Sequence, residues 1–317
     1  MRRIFHLAGL CLVAGVGSAC TSPDEVIETT EIPTAGVRFI HAVPDTGAMD
    51  MRFVDIVESN AHWNVAFRNS PVISPTGANG VPASSLVQFK NARAGQRHFT
   101  IFMSGTTVAI ASTVVKDTTV TLVAGKNYTA ILWGYANPTG PGRPGVAPVP
   151  GVAPAMRLTF FEEDAADPGT SVALRVINAH NVAIDASHYP AAAATPTPLT
   201  AIASGVAALA KSAYVMTTPA QVRYYALLAG TATRVLAAAA PNPIALIGAA
   251  AEIVAPGPKD ALPGTTVAGS AISAIVFPPS VVGTGAPQGG GSASVPAWTS
   301  PAITFVFDRR PPRAAGT

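Results

Sequence analysis

Cysteine is nearly missing from this 317-residue chain: Cys11 and Cys20 are the only two, and both stand near the start. No disulfide can therefore tie its distant segments together, and core packing must hold the fold. Charge is scarce as well, at 12% of residues against 49% hydrophobic ones, which excludes disorder of the highly charged kind. No segment beyond residue 20 reaches the run of about 18 apolar residues that a membrane helix needs; 244–255 comes nearest, and Glu252 interrupts it. Machinery for nucleophilic catalysis is missing too: there is no G-x-S-x-G, H-E-x-x-H, C-x-x-C or phosphate-binding loop. A non-catalytic protein without cofactor is expected, with an envelope hydrolase acting on polysaccharide or peptide as the alternative.

What is there begins at the amino terminus. Arg2 and Arg3 precede ten apolar residues, 7–16, and Gly17-Ser18-Ala19 supplies small residues before Cys20. That is the pattern of a secretory signal, 1–19, too short to span a membrane. A cysteine directly after the small residues resembles a bacterial lipobox, although Gly17 stands where Leu is usual. Lipid attachment at Cys20 would anchor the chain permanently, at about 0.8 kcal/mol per buried CH₂. Thr21 is not the Asp linked to inner-membrane retention, so an outer membrane is favoured, with a secreted or periplasmic soluble protein as the alternative. Removing Arg2 and Arg3 from the 20 basic side chains leaves 18 against 17 acidic ones, or +1. A nearly neutral protein has no bulk attraction to nucleic acid, and the expected partners are the membrane and an envelope protein or polysaccharide.

Residues 20–35 read as a flexible tether. From Val37 the pattern alternates, with Val37, Phe39 and His41 on one face and Arg38 and Ile40 on the other. Strand-like runs follow at 51–57, 65–67, 86–89, 98–103, 108–115, 119–123, 128–135 and 156–161, punctuated by some of the 28 Gly and 29 Pro. Many short strands predict an antiparallel β-sandwich. The second half repeats the first. Leu174-Arg175-Val176-Ile177-Asn178-Ala179 matches Val37-Arg38-Phe39-Ile40-His41-Ala42, and Asp185 falls near the place of Asp50. The chain thus divides into 36–165 and 170–310, joined by a turn at Asp167-Pro168-Gly169, with a disordered tail at 311–317. Each half has a long Pro/Gly-rich loop before its last strand, 138–154 and 278–301; these serve as tolerated insertions or as contacts for a partner. In the Ala-rich stretch, 202–209 could form a short helix, while 223–228 and 233–238 read as strands.

Val37-Arg38-Phe39-Ile40-His41-Ala42-Val43-Pro44-Asp45, followed by Met49-Asp50-Met51, resembles the opening of DUF4397 domains, whose usual form has His-Ala-Ser-Pro-Asp and then a Val-Asp-Val strand. Gly125-Lys126-Asn127-Tyr128-Thr129 is similar to the same family's later strand entry. The second half resembles it in outline, with Asn178 for the His and no Pro-Asp. The resemblance implies an exported, immunoglobulin-like sandwich, here in two tandem copies, and brings no activity with it.

His41, Asp45 and Asp50 are the tempting cluster, a hydrogen-bonded pair or partial metal site. The plainer reading makes His41, Pro44, Asp45 and Asp50 a structural turn in which the carboxylates satisfy backbone donors. No metal is expected: Glu162-Glu163-Asp164 lacks a calcium loop, and His180 and His188 lack zinc partners. Gly140-Pro141-Gly142-Arg143-Pro144-Gly145 spells a dinucleotide motif, but its prolines deny the backbone cradle. Trp63, Trp133, Tyr135 and Trp298 are the candidate partner contacts, or else buried core.

Overall fold

The structure is a computed structural model describing residues 31–69, 89–145, 151–237, 240–254, 257–281, 298 and 300–312, without the side chains of 253–254 and 257–259. The expected secretory segment 1–19, Cys20 and most of the expected tether lie outside the described residues. The fold is all-β. In the first half the strands are β1 (Thr34–Ala42), β2 (Met49–Phe53), β3 (His62–Val65), β4 (Lys90–Arg93), β5 (Gly95–Met103), β6 (Val114–Leu122), β7 (Asn127–Trp133) and β8 (Arg157–Glu162). In the second half they are β9 (Val172–Asn178), β10 (Ile184–Pro190), β11 (Thr200–Val206), β12 (Ala210–Lys211), β13 (Val215–Thr217), β14 (Val222–Leu228), β15 (Glu252–Val254), β16 (Gly257–Lys259), β17 (Ala271–Phe277) and β18 (Ala302–Arg309).

Four main sheets pile face to face, from residue 33 onward, as one compact unit. An outer sheet β3-β2-β5-β6 covers an inner sheet β4-β1-β7-β8. The second half mirrors this with inner sheet β12-β9-β17-β18 and outer sheet β11-β10-β14. Alternation accounts for the layering: Val37 and Phe39 enter the core of the first sandwich, whereas Ile40 and Ala42 enter a separate core shared by the halves. Correspondingly, Leu174 and Val176 fill the second sandwich, and Ile177 and Ala179 meet the first half. Strands buried on both faces read as nearly unbroken apolar runs, and β9 and β17 are buried along their whole lengths.

Several expectations are corrected. The sheets are not wholly antiparallel: β1 pairs with β7, and β9 with β17, in parallel. Residues 108–115 are not one strand, because Thr107 caps a helical turn at Val108–Ala111 and β6 begins only at Val114. The helix considered for 202–209 is instead the strand β11 as far as Val206, followed by a turn; pairing with β10 overrides the propensity of alanine. No strand forms over 233–237; a single bridge links Leu227 and Arg234. Of 86–89, only Phe89 is described, and β4 begins one residue later. Among the described residues, the outer sheet of the second half also lacks a counterpart to β6. Pro241 and Pro243 supply no N–H there, and contact with β14 is limited to isolated bridges, Leu227 with Arg234 and Arg223 with Ile244.

Candidate functional site

The shared core carries an unexpected set of charges. Register places Arg38 beside Thr129, and Arg175 beside Ser273. Arg38 Nε donates to the Thr129 hydroxyl at 2.7 Å, and Arg175 Nε to the Ser273 hydroxyl at 2.6 Å. Both guanidiniums converge on the carboxylates of Glu163 and Asp308: Arg38 reaches them at 3.0 and 2.5 Å, and Arg175 bonds Glu163 and lies 3.4 Å from Asp308. Arg38 and Thr129 of one half thus answer Arg175 and Ser273 of the other. All four side chains are buried.

Glu163 and Asp308 also line a cleft of about 420 Å³ together with Phe89, Lys126 and Arg309. Two carboxylates facing one cleft invite an acid–base reading. Burial pushes the Asp308 carboxyl up, but Arg175, Arg38 and the Ser273 hydroxyl outweigh it and hold the group below the usual carboxylate range. A general acid needs the opposite shift, and here both carboxylates are committed to arginine. The arrangement ties the two halves together, with Asp308 held in its charged form.

The residues of the family-like motif meet at the other end of the sandwiches, where β1, β7, β9 and β17 terminate. His41 Nδ1 accepts from Val43 N–H at 3.3 Å, so its Nε2 carries the proton and donates to the Gly47 carbonyl at 2.9 Å. Burial lowers the His41 pKa to about 4, against the opposing pull of Gly47 and Asp45, and the ring stays neutral. Asn178 does the same work in the second half: its oxygen accepts from His180 N–H at 3.0 Å, and its amide donates to the Val182 carbonyl at 2.8 Å. Asp50 accepts from Asn64 N–H at 2.7 Å, and Asp185 from Gly205 and Gly230 N–H at 2.7 and 2.9 Å.

Asp45 does more than close a turn. Its buried carboxylate accepts from Ala136 and Asn137 N–H at 2.9 and 3.0 Å and pairs with Arg143 at 3.0 Å. These contacts fasten the first Pro/Gly-rich loop. Gly134, at φ +84°, starts that loop where a Cβ would lie 2.5 Å from the Ala155 carbonyl, so no other residue fits. The second loop is fastened by a residue of the first half. Arg68 lies in the short 3-10 turn Phe67–Asn69 and donates to the carbonyls of Pro278 and Ser300, at the two ends of 278–301. Asn69 ties that turn to β1 through the Phe39 carbonyl and His41 N–H, and Pro44 accepts from Val281 N–H at 2.8 Å. The cluster around His41 is therefore a hub from which both Pro/Gly-rich loops are held at one pole. Among the described residues no group of three metal ligands comes together.

Of the four aromatics marked as contacts, Trp133, Tyr135 and Trp298 are buried, and Trp133 and Trp298 belong to the shared core. Trp63 is 59% exposed on the outer sheet, and Arg52 lies between it and Phe102, at 4.9 and 4.1 Å from the two rings. Sequence reasoning passed over Arg38, Arg68, Arg143 and Arg175. Arg38 and Arg175 had left a signal, a charge at the second place of each repeated apolar strand.

Residues 35–186 match the family described as a domain of unknown function, DUF4397. The match spans the first sandwich and extends through β9 into β10. No curated protein matches the chain.

Proposed function

We propose that this chain is a non-catalytic module of a bacterial cell envelope, held to a membrane by lipid on Cys20, whose paired loops contact an envelope protein or polysaccharide. One observation carries the binding reading: two Pro/Gly-rich loops leave the same pole, each fastened at its base by a buried charge, Asp45 or Arg68. A tolerated insertion needs no such fastening. Segments rich in proline also lose little entropy when a partner orders them further. The second half reads as a divergent tandem copy of the DUF4397 domain, supported by the matching roles of His41 and Asn178, Asp50 and Asp185, and Arg38 and Arg175.

The test compares wild-type protein, cross-linked in its native membranes, with a variant in which 139–153 is replaced by a short Gly-Ser linker. A partner recovered by the first and lost by the second is expected. Recovery of the same partner without the loop refutes the assignment, as does a wild type that recovers none. Separately, Cys20→Ala should move the protein out of the membrane fraction; if it stays, the lipid anchor is wrong.

A further inference from the structure

Five arginines are buried among the described residues: Arg38, Arg68, Arg97, Arg143 and Arg175. Four pair with carboxylates: Arg38 and Arg175 with Glu163 and Asp308, Arg97 with Asp55 and Glu58, Arg143 with Asp45. Arg68, 3% exposed, has carbonyl partners and no carboxylate among the described residues. The adjoining stretches 70–88 and 282–297 contain no Asp or Glu at all. An uncompensated guanidinium in such a place is costly, and burial pushes its pKa down to about 9. Arg68 also sits at φ +67°, a conformation unfavourable for any residue with a Cβ.

Its surroundings offer hydrogen-bonding groups in search of a partner. Arg68 Nε is buried and unpaired, and so are the indole Nε1 of Trp298 and Nδ1 of His180. The guanidinium carbon lies 5.6 Å from the Trp298 ring centre and 5.1 Å from that of Phe67, so aromatic faces offset part of the charge. Proximity of the Arg68 charge, after burial, lowers the pKa of His180 to about 4. A cation and an indole thus stand together, with His180 near enough to feel the charge, and no carboxylate among the described residues pairs with Arg68.

We propose that Arg68, Trp298 and His180 hold one small monovalent anion of halide size between the two halves. The Nε–H of Arg68 and the Nε1–H of Trp298 donate to it, and His180 donates from Nδ1 in the tautomer that carries its proton there. The depth of Arg68 excludes a carboxylate delivered by a macromolecule. The site would fasten the base of the 278–301 loop, because the same guanidinium holds both its ends.

The test uses the full chain in sodium gluconate, whose anion is too bulky for the site, with chloride or bromide substituted at constant ionic strength. A saturable rise in thermal midpoint is expected, about 5 °C at halide concentrations on the order of a hundredfold above the dissociation constant. Arg68→Gln should abolish the dependence. Should that variant fail to fold, Trp298→Phe, which keeps the ring and removes the N–H, should weaken halide binding by about tenfold. Crystals grown in bromide should show an anomalous peak beside Arg68 Nε. A wild-type midpoint indifferent to halide, a dependence unchanged in Arg68→Gln or Trp298→Phe, or no peak at Arg68 overturns the proposal.

Discussion

His41 and Asn178 occupy matching places and make matching bonds, each accepting from the N–H two residues on and donating to a carbonyl of the following turn. The chemistry required is therefore one acceptor and one donor about a side chain's length apart, and ionisation is no part of it. His41→Asn should cost less than about 1 kcal/mol in urea denaturation, whereas His41→Ala, leaving buried groups unpaired, should cost about 1–3 kcal/mol. A large loss in His41→Asn would show that the ring is needed for something else. The same residue sets a pH dependence. His41 and His62 are held near pKa 4 in the folded chain, chiefly by burial, so the unfolded chain binds their protons more tightly. Stability is full above about pH 6.5 and declines as pH falls through that value toward 4. Denaturation midpoints between pH 7 and 4.5 should fall in wild type and fall less in His41→Asn. The histidine was legible in the sequence as part of a motif, and its structural role was the plainer of two readings. Arg68 was not legible, because a single arginine before a polar stretch looks like a solvated surface residue until its burial is known.

Among the elements, alternation foretold β1, β5, β9 and β14 well, because one side chain in two must face a core in each. It could not say which core. Arg38 and Ile40 share a face, and only the second inner sheet explains why that face is buried. Parallel pairing of β1 with β7 escaped notice because their residues lie about 90 positions apart, and no local signal records it. The helical turn at Val108–Ala111 was misread since β-branched Val and Ile suggest a strand, while the cap at Thr107 decides the conformation. The meeting of Glu163, just past β8, with Asp308 of β18 around the same two arginines provides a test. Glu163→Gln and Asp308→Asn each weaken bonds to the same two guanidiniums, so their effects should not add. A double-mutant cycle in chemical denaturation should give an interaction term of about 0.5–3 kcal/mol. Simple additivity would mean that the two carboxylates act independently.

At the scale of the whole molecule, the two sandwiches share a third apolar core containing Trp133, Phe277 and Trp298 as well as the buried ion pairs. The halves should consequently melt together. Tryptophan fluorescence, dominated by residues at that core, and far-ultraviolet circular dichroism should report one coincident transition. Two separated transitions would show that the halves are stable apart. The division into two halves was legible in the sequence as matched strands; the pressing of one half against the other was not, since it rests on small and branched side chains that serve any interior.

The direction of β1 separates the start of the fold from the loop-holding hub. The strand enters at Thr34 and ends at Ala42, beside the hub that holds both loops. At roughly 3.3 Å per residue those ends are about 26 Å apart. Were the chain held by the segment before Thr34, the opposite extremity, where Arg68 and Asp45 grip the bases of both loops, would be the end turned away from the attachment.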